Sequence, residues 1–150
     1  MSEIMEIILL ILSCGVLVAV AVCFIGAAVL THRYNKFYET TEEGKKLYCA
    51  LYTKDCLGSK HDRLVNQMCE LRDKIDEFES YFPDECYKKV FLMKIRYKGY
   101  SEELDKTKKA MEDWEKRINE IVAELPKKYK GILEYNWKNA KVEVDESSFC

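Results

Sequence analysis

Cysteine and histidine residues in one short stretch are the first candidates for a metal site. Cys49 and Cys56 are seven residues apart, and His61 follows them. Zinc sites usually bring two ligands within about two to five residues of each other, because closing a short chelate ring costs little chain entropy. Only Cys56 and His61 approach that spacing. We therefore expect no metal ion here and interpret these thiols as small core residues.

The sequence also contains no recognisable set of catalytic residues. The sequence has no GxSxG elbow, no glycine-rich phosphate loop and only two histidines, His32 and His61. Its many acidic residues fall mainly on outward positions of predicted helices, where ion pairs contribute roughly 0.3 kcal/mol each. We expect a protein that is not an enzyme, with no catalytic residue, cofactor or small-molecule substrate. No segment carries a motif that we can assign to a known family.

The one local charge anomaly is a run of cations between Cys86 and Gly99, which contains no acidic residue and is mixed with aromatic side chains. It could be a solvated face paired with acidic neighbours, a contact for an anionic membrane or acidic partner, or a stacking groove for single-stranded nucleic acid. The candidate patch consists of Lys88, Lys89, Lys94, Arg96 and Lys98. Because all 24 basic residues follow residue 30, as do all acidic ones except Glu3 and Glu6, that part of the chain is neutral. We therefore expect no nucleic-acid partner.

An apolar segment near the N-terminus determines where these residues can lie. Residues 7–30 contain no charged side chain, and as a helix they would be about 36 Å long, against about 30 Å for the hydrocarbon core of a bilayer. A cleavable signal peptide would have a basic start and a shorter apolar stretch, whereas the start here is MSEIME. The segment is predicted to be a retained single-pass transmembrane helix.

Charges on the two sides of this segment predict its orientation. Arg33 and Lys36 follow it at once, and no basic residue precedes it. Since Lys and Arg favour the cytoplasmic side, we expect the N-terminus outside and the C-terminal domain in the cytoplasm. Tyr34, Phe37 and Tyr38 fit either an aromatic belt at the membrane surface or ordinary packing.

Small residues recur every four positions within the segment: Gly15, Ala19, Cys23 and Ala27. They place small side chains on one helix face, where a second helix could approach closely. Since Gly and Ala are common in membrane helices, self-association through this stripe is a hypothesis only.

Two heptad patterns organise the remaining chain. The first comprises Leu64, Met68, Leu71, Ile75, Phe78 and Phe82, and the second Leu104, Thr107, Met111, Trp114, Ile118, Ile121 and Leu125. Such seams pair as an antiparallel hairpin or between chains. We expect helix boundaries at a Thr40–Glu43 capping box, at Gly58 with the cap Ser59, and at Gly99 with the cap Ser101.

Residues 84–98 fit two secondary structures. A helix starting at Pro83 is favoured, because acidic residues follow the proline and Gly99 would end it. A strand with Phe91, Met93, Ile95 and Tyr97 on one face is the alternative, with GILEYNWKN as its partner.

The predicted fold is mainly α: a single N-terminal transmembrane helix followed by a small helical bundle or antiparallel coiled-coil hairpin. The predicted divisions are an outer tail (1–6), the membrane helix (7–30), a juxtamembrane segment (31–40), a cytoplasmic helical domain (41–138) and an acidic flexible tail (139–150). The five cysteines after the membrane are expected to be reduced in the cytosol; they are Cys49, Cys56, Cys69, Cys86 and Cys150.

The predicted function is that of a membrane-anchored adaptor or scaffold that binds a protein partner or itself. The alternative is a small membrane-active protein, holin-like or toxin-like, whose membrane helices oligomerise. The stripe of small residues is the only feature that favours this alternative.

Overall fold

Long helices account for most of the chain. The computed structural model describes residues 2–81, 87–140 and 142, and this described part contains no strand. Its long helices are α1 (Ser2–Thr40), α2 (Glu42–Tyr81) and α3 (Tyr87–Glu124), followed by the short 3-10 helices Lys127–Tyr129, Ile132–Glu134 and Trp137–Asn139. The chain is mainly α, as predicted, with a long apolar N-terminal helix and a helical hairpin.

The helices belong to two compact units. The first joins the chain up to Lys45 to the segment that begins at Leu125, and the second holds Lys46–Glu124. The first unit therefore contains α1 and the 3-10 helices, and the second contains nearly all of α2 together with α3.

A threonine forms the junction between α1 and α2. Both the N–H and the Oγ1 hydroxyl of Thr41 donate to the carbonyl of Phe37, at 3.1 and 2.7 Å. The same Oγ1 accepts a hydrogen bond from the N–H of Gly44 (3.0 Å), which caps the first turn of α2. The predicted cap, Thr40 with Glu43, was wrong by one residue, because the Thr40 hydroxyl instead donates to Lys36 within α1.

The helix boundaries predicted at Gly58 and Gly99 are also wrong. α2 continues through Gly58 and Ser59, and α3 through Gly99 and Ser101. A glycine inside a helix costs about 1 kcal/mol relative to alanine, which packing of the surrounding apolar positions easily outweighs. No glycine of the described chain has a positive φ, so neither residue has the backbone conformation that ends a helix.

Each helix of the second unit presents a continuous seam whose positions alternate at spacings of three and four. Every seam position is buried or half-buried. In α2 the seam runs through Leu47, Ala50, Lys54, Leu57, His61, Leu64, Met68, Leu71, Ile75 and Phe78. In α3 it runs through Val90, Met93, Tyr97, Tyr100, Leu104, Thr107, Met111, Trp114, Ile118 and Ile121. The predicted heptads are parts of these longer seams except at two positions. Leu125 follows the end of α3 and belongs to the first unit, and Phe82 lies outside the described residues.

The two seams pair within one chain. Leu71, Ile75 and Val90 form a buried cluster, against which Phe78, Met93, Tyr97 and Tyr100 pack. At the other end of the hairpin, Lys54 Nζ lies 3.1 Å from a carboxylate oxygen of Glu115. Because early positions of α2 face late positions of α3, the pairing is antiparallel.

Residues 87–98 are helical, as favoured from the sequence, and the predicted start at Pro83 lies outside the described residues. The strand alternative is wrong because Val90, Met93 and Tyr97 continue the three-and-four spacing of α3. Its supposed partner, GILEYNWKN, forms two of the 3-10 helices. α3 ends at Glu124 because Pro126 disfavours the helical conformation of the residue before it.

Candidate functional site

The apolar part of α1 has no protein cover. Every side chain from Ile4 to Arg33 is exposed, and the helix is long and apolar enough to cross a membrane. The hydroxyl of Ser13 donates to the carbonyl of Leu10 at 2.9 Å, so this polar group is satisfied inside its own helix. Apart from its backbone, which the helix satisfies, the segment offers its surroundings almost only hydrocarbon.

The stripe of Gly15, Ala19, Cys23 and Ala27 lies on this surface. All four residues are exposed, and a methyl group placed on Gly15 would meet no atom within 4 Å. Their neighbours on every other face of α1 are exposed as well. Exposure therefore does not distinguish the stripe from the other faces of α1, and helix association through it stays a prediction.

Just beyond the apolar segment, three aromatic residues of α1 change from exposed to buried surroundings. Tyr34, Phe37 and Tyr38 are 8%, 3% and 0% exposed. The rings of Phe37 and Tyr129 lie 4.3 Å apart, and those of Tyr34 and Tyr135 lie 5.3 Å apart. The aromatic-belt interpretation of the three α1 residues is therefore wrong, since they pack against the segment after α3.

We call these five rings the juxtamembrane aromatic cluster: Tyr34, Phe37, Tyr38, Tyr129 and Tyr135. A half-buried hydrogen bond fixes its register, because the Tyr135 hydroxyl donates to Asn35 Oδ1 at 2.6 Å. Ile132 is fully buried in the same segment, and a methyl group on Gly131 would lie 3.1 Å from the Tyr34 hydroxyl. The sequence interpretation did not connect Tyr129 and Tyr135 with α1, and it considered Tyr135 only within GILEYNWKN, the possible partner of the strand alternative.

Burial changes the acid–base properties of one member of the cluster. Removal from water, together with the nearby Tyr135 and Tyr34, raises the pKa of the Tyr38 hydroxyl above its ordinary value. The hydroxyl therefore stays neutral to a higher pH than that of an ordinary tyrosine.

Directly C-terminal to the apolar segment, three basic side chains are exposed: His32, Arg33 and Lys36. They lie on the part of α1 that carries the aromatic cluster on its other faces. Cations that immediately follow a hydrophobic helix are the arrangement that anionic headgroups and the cytoplasmic side favour.

All five residues of the candidate basic patch are exposed on α3. Two of them contact α2. Lys94 Nζ lies 2.5 Å from Glu79 Oε1, and the ammonium of Lys89 lies 4.3 Å from the centre of the Phe78 ring. The other three, Lys88, Arg96 and Lys98, have no ion-pair partner among the described residues. The patch is thus partly paired with α2 and partly open.

Exposed apolar side chains accompany these cations. Phe91, Leu92 and Ile95 are 53%, 57% and 54% exposed, on the side of α3 away from its seam. The sequence interpretation placed Phe91 and Ile95 on a strand face with Met93 and Tyr97. The helix separates them, since Met93 and Tyr97 pack into the hairpin and Phe91 and Ile95 face outward.

The residues considered for metal binding do not assemble into a site. In the described part of the chain, no group of three or more His, Cys, Asp or Glu side chains is arranged to hold a metal ion. His61 occupies a seam position of α2, with its Nδ1 3.2 Å from Asp62 Oδ1. Cys49 and Cys56 are free thiols, and the interpretation as core residues is wrong for Cys56, which is exposed, whereas Cys49 is half-buried.

Lys60 and Glu103 form an ion pair between α2 and α3. Lys60 Nζ lies 2.8 Å from Glu103 Oε1. This hydrogen bond from Lys60, with its positive charge, lowers the pKa of the Glu103 carboxyl below its ordinary value. The two side chains are 40% and 47% exposed, so solvent screens the pair and it contributes little stability.

Comparison with known proteins gives no further guide to function. No protein-family model, no curated protein sequence and no solved structure matches this chain.

Proposed function

We propose that this chain is a single-pass membrane-anchored helical interaction protein, an adaptor or scaffold, with its N-terminus outside and its hairpin in the cytoplasm. The observation that carries the proposal is the uncovered apolar surface of α1. A helix from the core of a soluble protein would be mostly buried, whereas this one exposes every residue from Ile4 to Arg33. Such a surface is stable in lipid and unstable in water.

The juxtamembrane aromatic cluster supports retention of the helix. Its residues Tyr34, Phe37 and Tyr38 belong to the same continuous helix as the apolar segment and are buried by the chain after α3. A cleavable signal peptide is removed from a folded domain, but here the end of the apolar helix is part of one.

The positive charges support the orientation. Arg33 and Lys36 are exposed directly after the apolar segment, followed by Lys45 and Lys46, whereas residues 1–6 hold no basic side chain. We assign the interaction function to the hairpin. Confining its surface to a membrane raises the effective concentration of whatever it binds.

Fractionation and labelling test the anchor. We expect the full-length chain to stay with membranes after alkaline carbonate extraction and to keep residues 1–30, as shown by intact mass. Release into the soluble fraction, or a mature chain beginning near residue 28, would contradict the proposal.

The scaffold and membrane-lesion alternatives differ in their effect on the membrane potential. Induced expression of a scaffold should leave a potential-sensitive dye unchanged, whereas a holin-like protein would depolarise the cell. Rapid depolarisation that is lost when Gly15 and Ala19 are changed to Leu would overturn the scaffold proposal.

A further inference from the structure

We propose that the outer face of α3, close to its N-terminal end, is a docking surface for a lipid bilayer with anionic headgroups. The surface, called here the outer face, comprises Phe91, Leu92, Ile95, Lys88 and Lys98. This inference goes beyond the proposed function, because it gives the water-exposed hairpin a membrane contact separate from the α1 anchor.

The apolar residues of the outer face have no packing role in the hairpin. Phe91, Leu92 and Ile95 are each more than half exposed, whereas Val90, Met93 and Tyr97 of the same turns pack in the hairpin. With about 100° of rotation per residue, Phe91 and Ile95 lie one turn apart on the opposite side from the seam. The two helical turns from Val90 to Tyr97 therefore carry apolar side chains both toward the hairpin and on the outer face.

Cations flank this apolar surface. Lys88 and Lys98 lie on the outer side one turn before and after it, and Arg96 lies at its edge. The segment 87–99 contains no acidic residue, and Glu102 is the first acid to follow it. Large apolar side chains bordered by Lys and Arg are the composition of helices that lie in the headgroup region of a bilayer.

The size and charge of the outer face argue against a protein partner or a second copy of this chain as its occupant. Three half-exposed side chains offer on the order of 300 Å², whereas a stable protein interface takes about 800 Å² from each partner. A second copy would also bring Lys88, Arg96 and Lys98 against the same three cations. A bilayer has no minimum area of this kind, and its anionic headgroups complement the cations.

The test uses the full chain, held by α1 in nanodiscs of neutral phosphatidylcholine, so that only its water-exposed part can meet added vesicles. Binding is measured by co-flotation with neutral liposomes and with liposomes containing about 30% phosphatidylserine. We expect at least a tenfold preference for the anionic liposomes, decreasing with added salt.

Two pairs of variants separate the apolar and charged contributions. Phe91→Ser with Ile95→Ser should lower binding at least tenfold, whereas Phe91→Leu with Ile95→Leu should retain it. Lys88→Glu with Lys98→Glu should abolish the preference for anionic lipid. The same charge change at Lys108 and Lys109, exposed residues further along α3, should leave it intact. Circular dichroism verifies that each variant keeps its helix content.

Several outcomes would overturn the inference. These are equal binding to neutral and anionic liposomes, full binding by Phe91→Ser with Ile95→Ser, or an equal loss in the Lys108 and Lys109 control. Pairing of nanodiscs with each other would assign the face to a second copy, and binding of single-stranded DNA without liposome binding would assign it to nucleic acid. Failure of the chain to enter nanodiscs would contradict the α1 anchor instead, so the two proposals fail separately.

Discussion

At the scale of single residues, the glycines differ sharply in the space around them. A methyl group on Gly44 would lie 2.1 Å from the carbonyl oxygen of Phe37 and 2.7 Å from Thr41 Oγ1, whereas one on Gly58 or Gly99 would meet nothing within 4 Å. Gly44 thus allows the close approach of backbone at the α1–α2 junction. The other two are ordinary helix positions where the lack of a side chain is a cost.

This difference predicts opposite effects of one substitution. Gly44→Ala should destabilise the chain by about 2 kcal/mol or more through overpacking, whereas Gly58→Ala and Gly99→Ala should each stabilise it by roughly 0.5–1 kcal/mol. Thermal unfolding in detergent, followed by circular dichroism, measures all three. A Gly44→Ala midpoint at or above that of the unchanged chain would contradict the described junction.

Tyr38 predicts a dependence of stability on alkaline pH. The pKa of its hydroxyl is raised in the folded chain, so the unfolded chain loses this proton first, near pH 10. The stability contributed by the neutral group is complete below about pH 10 and is lost as the pH rises above it. Tyr38→Phe should therefore reduce the fall in the unfolding midpoint between about pH 9 and about pH 11.

The matched control for Tyr38 is Tyr87→Phe, a change at a ring that is 75% exposed. We expect this variant to keep the alkaline fall of the unchanged chain. Equal behaviour of the two variants would show that the hydroxyl of Tyr38 is not buried as described.

At the scale of elements, the seams carry the stability of the hairpin. Leu64 is 3% exposed on the α2 seam, and Leu92 is 57% exposed on the outer face. Leu64→Ala should cost about 2–5 kcal/mol, whereas the same change at Leu92 should alter stability by about 0.5 kcal/mol or less. Chemical denaturation of the full chain compares the two, and similar costs would contradict the assigned faces.

The seams also explain which elements the sequence could predict. Residues from Leu64 to Phe78 and from Leu104 to Ile121 are spaced at three and four and hold large apolar groups, so their burial could be predicted directly. The extension toward Leu47 could not, because Lys54 and His61 occupy seam positions and Gly58 interrupts the pattern. In that part of α2, packing of the whole helix determines which positions are buried. Local helix propensity predicts a helix end there instead.

The contacts of the C-terminal segment depend on residues far apart in the chain. Tyr135 and Asn35 are 100 residues apart, and no local periodicity connects them. Alternation of apolar and polar residues made GILEYNWKN the possible partner of the strand alternative. The segment instead forms 3-10 helices, with Ile132 buried and the ring of Tyr135 packed against Tyr34 of α1. The basic patch and its mixture with aromatic residues were predicted, whereas the separation of exposed Phe91 and Ile95 from packed Met93 and Tyr97 required the helical structure of α3.

At the scale of the whole molecule, charge asymmetry should control the orientation of α1. Moving positive charge across the membrane, with Glu3→Lys and Glu6→Lys combined with Arg33→Ser and Lys36→Ser, should invert a measurable fraction of chains. Protease protection of the hairpin in sealed vesicles measures this fraction. Lys45 and Lys46 remain, so the inversion should be partial, and no change at all would contradict the role given to Arg33 and Lys36.

Labelling of the hairpin cysteines in cells tests the anchored, inward-facing topology most directly. Cys56 and Cys69 are exposed free thiols on α2, so a membrane-impermeant maleimide should modify them only after cells are permeabilised, with the sites resolved by mass spectrometry. A chain anchored by α1 with its hairpin in the cytoplasm predicts protection of both in intact cells. Modification of either cysteine in intact cells would contradict it.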